Sequence, residues 1–146
     1  MGEASAKVVQ LQVSVVKRQP MVTLDEAMFK TGRGIEGDRH AGGDDAAADK
    51  QVLMIDAETL TDLGIDSAVT RENVTTRGLD IAMLTPGKRV RLGDSAVVEV
   101  TGDCDPCENM DAVKDGLRAG LQGRRGILGK IVADGAVHPG DAIAIE

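Results

Sequence analysis

Asp105-Pro106-Cys107-Glu108 has the residues of a helix start: Asp105 suits the N-cap, Pro106 the first helical position and Glu108 the acid of a capping box. The spacing places the Cys107 thiol in the first turn. The free amides and positive end of a helix favour the thiolate, the form that attacks electrophiles and binds soft metals. Asp103, Asp105 and Glu108 oppose that charge. A working thiolate therefore requires cations folded in from elsewhere, and Arg39, Arg71, Arg77, Arg124 and Arg125 all stand in Gly-, Asn- or Thr-rich segments that read as loops. The plain alternative is an inert, small apolar side chain near a helix end.

Cys104 completes a C-x-x-C pair, a pattern used for zinc, thiol exchange or persulfide chemistry. Only His40 and His138 remain to complete a zinc site, and their spacing fits no common finger. Thiol exchange of the thioredoxin kind expects a parallel βαβ context, which the pattern does not offer. Gly32, Gly34 and Gly37 match the glycines of dinucleotide-binding loops, but 38–43 cannot open a helix as that motif requires. Loop amides beside Arg39 and His40 can still receive an anion; the alternative is a solvated loop with Asp38 paired to Arg39. Between Thr70 and Gly78, Arg71, Asn73, Thr75, Thr76 and Arg77 gather donors suited to a phosphate or a pterin edge. Local turn bonding explains the same residues without a ligand.

The elements that must position these groups are short. Val9, Leu11, Val13 and Val15 alternate with Gln10, Gln12 and Ser14, the period of a half-buried strand with the valines and leucine inward. Residues 21–30 fit either helix or strand, and 31–50 read as a loop of a length that is usually functional or disordered. Gln51 to Ile55 is a buried strand, and Asp56 caps a helix over Ala57 to Leu63 that ends at Gly64. Val90 to Val100 forms a hairpin with a two-residue turn at Gly93-Asp94 that leads to Cys104. A helix follows Asp105, with Met110, Val113, Leu117 and Leu121 on one stripe. Then come a strand over Ile127 to Ala133, a turn at Asp134-Gly135 and a closing strand through Ile143 and Ile145. The pattern predicts a single, mainly β domain over 1–146: a closed or partly closed β-barrel with two or three short helices.

Composition narrows the function classes. The net charge of −7 repels a phosphate backbone, so no nucleic-acid partner is expected. Phe29 is the only aromatic residue, so any heterocycle must be held by Arg planes, hydrogen bonds and aliphatic walls. No apolar run approaches the roughly 20 residues of a membrane span, and the N-terminus lacks a secretory pattern. The expectation is a cytoplasmic protein with no membrane partner. Two cysteines in a reducing compartment argue against a structural disulfide.

Five stretches in order resemble the MOSC domain family, named for the C-terminal domain of molybdenum cofactor sulfurases, in its short stand-alone bacterial form. They are Gly34-Ile35-Glu36-Gly37-Asp38-Arg39-His40, Arg71 to Leu79, Pro86 to Asp94, Cys104 to Cys107, and Gly123-Arg124-Arg125-Gly126 with Gly140-Asp141. The resemblance implies a β-barrel that binds the molybdenum cofactor, molybdopterin: a pterin with a phosphate and a dithiolene that holds the metal. It implies that Cys107 either carries sulfur as a persulfide or ligates molybdenum. It places Arg39, His40, Arg71, Asn73, Thr75 and Arg124 around the cofactor. The sequence contains no pyridoxal-phosphate desulfurase module, so a separate PLP-dependent cysteine desulfurase is the expected sulfur donor, with a molybdoenzyme or redox protein as partner. Three functions follow, in this order: a persulfide carrier to a molybdenum centre, a molybdenum-dependent reductase of N-hydroxylated compounds, and a non-catalytic carrier or storage protein. Cys104 is a candidate for resolving a persulfide.

Overall fold

The computed structural model describes residues 6–16, 19–38, 51–68, 70–103, 116 and 126–146. The first strand, β1 (Ala6–Val13), is the hub of the molecule. It pairs with β2 (Val22–Leu24), with β6 (Val74–Arg77) and, at Ala6 and Lys7, with β11 (Ala142–Ile145). Between these lie β5 (Val52–Asp56), β7 (Arg89–Leu92), β8 (Ala96–Asp103) and β9 (Ile127–Ala133). The pairing order β11-β7-β8-β9-β5-β6-β1 returns to β11, closing a seven-stranded barrel with β2 attached outside the ring. Closure leaves no open edge around the ring.

A second sheet of β3 (Ala27–Lys30), β4 (Gly34–Ile35) and β10 (Gly135–Val137) lies beside the barrel. Its Phe29, Ile35 and Val137 share one buried cluster with Leu11, Met54, Val74 and Val98 of the barrel, so the two sheets have a common core. Residues 21–30 are thus strands. The start of the expected long loop is also ordered as a β3–β4 hairpin, with Phe29 opposite Ile35. That hairpin holds Gly32 and Gly34, and Gly37 lies in the turn just after it, which removes the strand-to-helix geometry a dinucleotide loop needs.

β1 is a strand, as its alternation predicts, but its inward set differs. A bulge between Val8 and Gln10 inserts one residue against β6 and shifts the parity. Val8, Leu11 and Val13 enter the core, while Val15 is 53% exposed. Gln12 and Ser14 are buried too, because the segment leading into β6 covers the other face of the strand.

Asp56 caps α1 (Ala57–Leu63) as expected: its carboxylate accepts from the Thr59 amide at 3.1 Å, and Gly64 closes the helix at φ 68°. Ile55 and Leu60 form a small separate core with Leu63 and Ile65. α1 connects β5 to a parallel β6, so a βαβ unit exists after all; the cysteine pair follows β8 in sequence and is no part of it. The β7–β8 turn holds three residues rather than two, since Leu92 faces Ala96. Besides α1, the described residues contain one 3-10 turn, Ile81–Met83; the helix expected after Asp105 lies outside them. Among the described residues no helix is long and apolar enough to cross a membrane.

Candidate functional site

The cysteine segment leaves and rejoins the barrel at one place. Asp103 at the end of β8 is in register with Ile127 at the start of β9, and Ile127 faces Met54 of β5. Gly126, the residue before β9, has φ 112°, and a Cβ there would run into the Met54 carbonyl. Only glycine fits this position, so the return of the chain is fixed against β5. Cys104, Cys107 and Arg124 lie outside the described residues.

Along the same rows, Met54 faces Val74, and three residues before Val74 stands Arg71. Its backbone is left-handed at φ 65°, as is that of Ala68 at φ 73°. Non-glycine residues hold such angles only where surrounding bonds impose them, at about 1–3 kcal/mol each. Here the bonds are the Arg71 amide to the Ala68 carbonyl at 3.0 Å, the Ala68 amide to Glu72 Oε2 at 2.7 Å, and the Thr70 hydroxyl to Glu72 Oε1 at 2.5 Å. The Arg71 guanidinium, half-buried, donates through Nη1 to the Gln19 carbonyl at 2.6 Å and through Nη2 to Ser14 Oγ at 2.8 Å. Both acceptors are neutral, and among the described residues no carboxylate pairs with this cation.

Ser14 also links Arg71 to the second conspicuous segment. Its amide donates to the buried carboxylate of Asp38 at 2.8 Å, and Asp38 is the residue before Arg39 and His40. Arg39 and His40 lie outside the described residues, but their point of attachment is one residue from an Arg71 contact. At the other end of that segment, Gln51 is pinned by its amide to the Gly129 carbonyl and by its side chain to the Ile131 amide at 2.8 Å.

Asn73 and Thr75 occupy the interior of this arrangement. Asn73 braces two strands: its Oδ1 accepts from the Leu53 amide at 3.0 Å, its Nδ2 donates to the Gln12 carbonyl at 3.3 Å, and it is buried. The fully buried Thr75 hydroxyl donates to Glu72 Oε2 at 2.9 Å and accepts from Gln12 Nε2 at 3.3 Å. These partners position the turn that carries Arg71. Gln12, Ser14, Asp38 and Glu72 were not singled out by sequence reasoning. The one available signal was the run of polar residues on the outer face of a strand, which reads equally well as a solvated face.

Perturbed ionisations lie on other parts of the surface. The Glu26 carboxylate, bonded to His138 Nε2 at 2.8 Å, raises the imidazole above its ordinary value, with Asp141 adding to the effect. A bond from Thr31 lowers Asp134, and Arg89 with Lys130 lowers Glu99. Among the described residues no group of three or more His, Cys, Asp or Glu side chains is placed to hold a metal ion.

The family model for the MOSC domain matches residues 37–144. The fold is similar to that of the YuaD protein from Bacillus subtilis, with a TM-score of 0.80 at 23% identity, covering 97% of this chain and 95% of that one. It is also similar to YiiM from Geobacillus stearothermophilus, with a TM-score of 0.74 at 15% identity over 97% and 75% of the two chains. YiiM from Escherichia coli gives 0.66 at 22% identity over 94% and 70%. No curated protein matches the sequence.

Proposed function

The chain belongs to the MOSC domain family, and we propose that it binds the molybdenum cofactor and carries sulfur, as a persulfide on Cys107, to a molybdenum centre. The observation that carries this reading is Arg71. A strained, many-bonded turn holds its guanidinium against neutral oxygens only, and of its five N–H donors the two described bonds use two. Such a group is a preorganised receptor for an anion such as the cofactor phosphate. The acidic chain therefore has a local basic site where its overall charge offers none.

The separation of the elements also suits an extended ligand. From Asp103 to Arg71 is three steps across the sheet and three residues along it, on the order of 17 Å at ~4.8 Å and ~3.3 Å per step. Arg39, His40 and Arg124 are proposed to join Arg71 around the cofactor, while Asn73 and Thr75 hold the turn. When bound, the cofactor supplies the molybdenum at which sulfur is exchanged.

For the cysteine the chemistry is thiol–persulfide exchange. The Cys107 thiolate attacks the outer sulfur of a desulfurase persulfide, a new S–S bond forms on Cys107, and the donor cysteine leaves as its thiolate. This step requires the Cys107 thiolate, and hence cations to offset the acids Asp103, Asp105 and Glu108 in the same stretch of sequence; Arg39 and Arg124 are proposed for that role. The test is metal and pterin analysis of protein purified from a molybdenum-sufficient host. Pterin and molybdenum in comparable amounts are expected, with both reduced in a folded Arg71→Ala variant. Protein that holds neither, even after reconstitution, overturns the proposal.

A further inference from the structure

Glu72 is fully buried, and its carboxylate accepts three hydrogen bonds: from the Ala68 amide, the Thr70 hydroxyl and the Thr75 hydroxyl. All three donors are neutral, and among the described residues no cation pairs with it. Burying a carboxylate without a cation is costly, and apolar side chains would fill the same space more stably. What the arrangement provides is geometric definition. Two of its donors, Ala68 and Thr70, belong to the stretch that leads into Arg71, and Ala68 is the other left-handed residue of the turn. The Glu72 carbonyl is itself held by Gln12 Nε2 at 2.8 Å, which ties the turn to β1.

We infer that Glu72 is a positioning residue for Arg71. Its carboxylate locks the 68–72 turn in the left-handed form from which the guanidinium reaches Ser14 and Gln19, and so aims the remaining N–H groups at an anionic ligand. Without that lock the Arg71 backbone relaxes toward ordinary negative φ and the guanidinium leaves its seat. The inference rests on the reading of Arg71 as a cofactor-binding group, and the experiment separates the two.

The full-length protein is compared with Arg71→Ala, Glu72→Gln, Thr70→Val and the Arg71→Ala/Glu72→Gln double variant. Thr70→Val removes one donor with little change of shape, so a folded variant is at hand should Glu72→Gln unfold. Affinity is measured for molybdenum cofactor released from a denatured molybdoenzyme, and hydrogen exchange is measured at the Arg71 amide in cofactor-free protein. Glu72→Gln and Thr70→Val are each expected to weaken binding on the order of tenfold, the size typical when an outer partner of a ligand-holding side chain is lost. Both are expected to speed exchange at the Arg71 amide. In the Arg71→Ala background, Glu72→Gln is expected to cost nothing further. Unchanged exchange in both variants, or losses that multiply in the double variant, overturns the inference. If Arg71→Ala binds cofactor like the wild type, the cofactor reading of Arg71 fails, and the exchange data decide separately whether Glu72 fixes the turn.

Discussion

Replacing Asn73 by alanine removes a brace between β5 and β1. The side chain accepts from the Leu53 amide at 3.0 Å and donates to the Gln12 carbonyl at 3.3 Å, while Leu53, Asn73 and Gln12 are all buried. The backbone bonds of Asn73 to Leu53 and Gln12 survive the substitution, so two side-chain bonds are lost and no others. An orphaned buried amide costs about 1–3 kcal/mol and the longer bond about 0.5–1.5, which makes roughly 2–4 kcal/mol together. For a domain of this size each kcal/mol moves Tm by about 2–4 °C, so the expected fall is about 4–16 °C. With no Trp or Tyr in the chain, far-UV circular dichroism is the appropriate probe of the melt. Cofactor content should fall only in proportion to the unfolded fraction. A Tm within about 2 °C of the wild type would show that Asn73 braces nothing. Selective loss of cofactor at unchanged Tm would make it a ligand-touching residue instead.

Gly126→Ala forces a side chain into left-handed backbone and against the Met54 carbonyl, and a loss of about 2 kcal/mol or more is expected from the urea midpoint. An unchanged midpoint would mean that the start of β9 is free to shift. The His138 contact to Glu26 should depend on pH. Its folded pKa is raised, so its stabilisation is complete below the unfolded value near 6.5 and fades as pH rises through the folded value. The stability gap between wild type and His138→Asn should therefore be larger at pH 6 than at pH 9, values chosen to lie on either side of about 6.5; an equal gap at both refutes the assignment. Arg71→Lys keeps the charge but loses the planar fork, and it should hold less cofactor than wild type at equal stability. Full retention would reduce Arg71 to a point charge.

Local signals were legible and non-local ones were not. The Asp56 cap, the Gly64 stop and the span of β9 follow from neighbours in sequence, and the structure has them where they were expected. A barrel was expected from short strands and Gly-Asp turns, but its closure depends on Ala6 meeting Ile143, residues from opposite ends of the chain. β6 was hidden because Val74-Thr75-Thr76-Arg77 carries one large apolar side chain, and its hydroxyls read as turn chemistry until Gln12 and Glu72 are brought beside them. A bulge cannot be seen in a hydrophobic period: Leu11 and Val13 face the core as the alternation predicts, but ahead of the bulge it is Val8 rather than Val9 that enters it. At the site, Arg71 stood out as a cation in a donor-rich stretch. Glu72 beside it reads as an ordinary surface partner, and only its complete burial reveals otherwise.

Persulfide formation on Cys107 can be read by intact-mass and peptide analysis after incubation with a cysteine desulfurase and cysteine. The mass of one sulfur atom should be added on the peptide containing Cys107, removable by a thiol reductant and missing from Cys107→Ala. Equal sulfur uptake by wild type and Cys107→Ala, or none by either, would contradict the proposed role of Cys107.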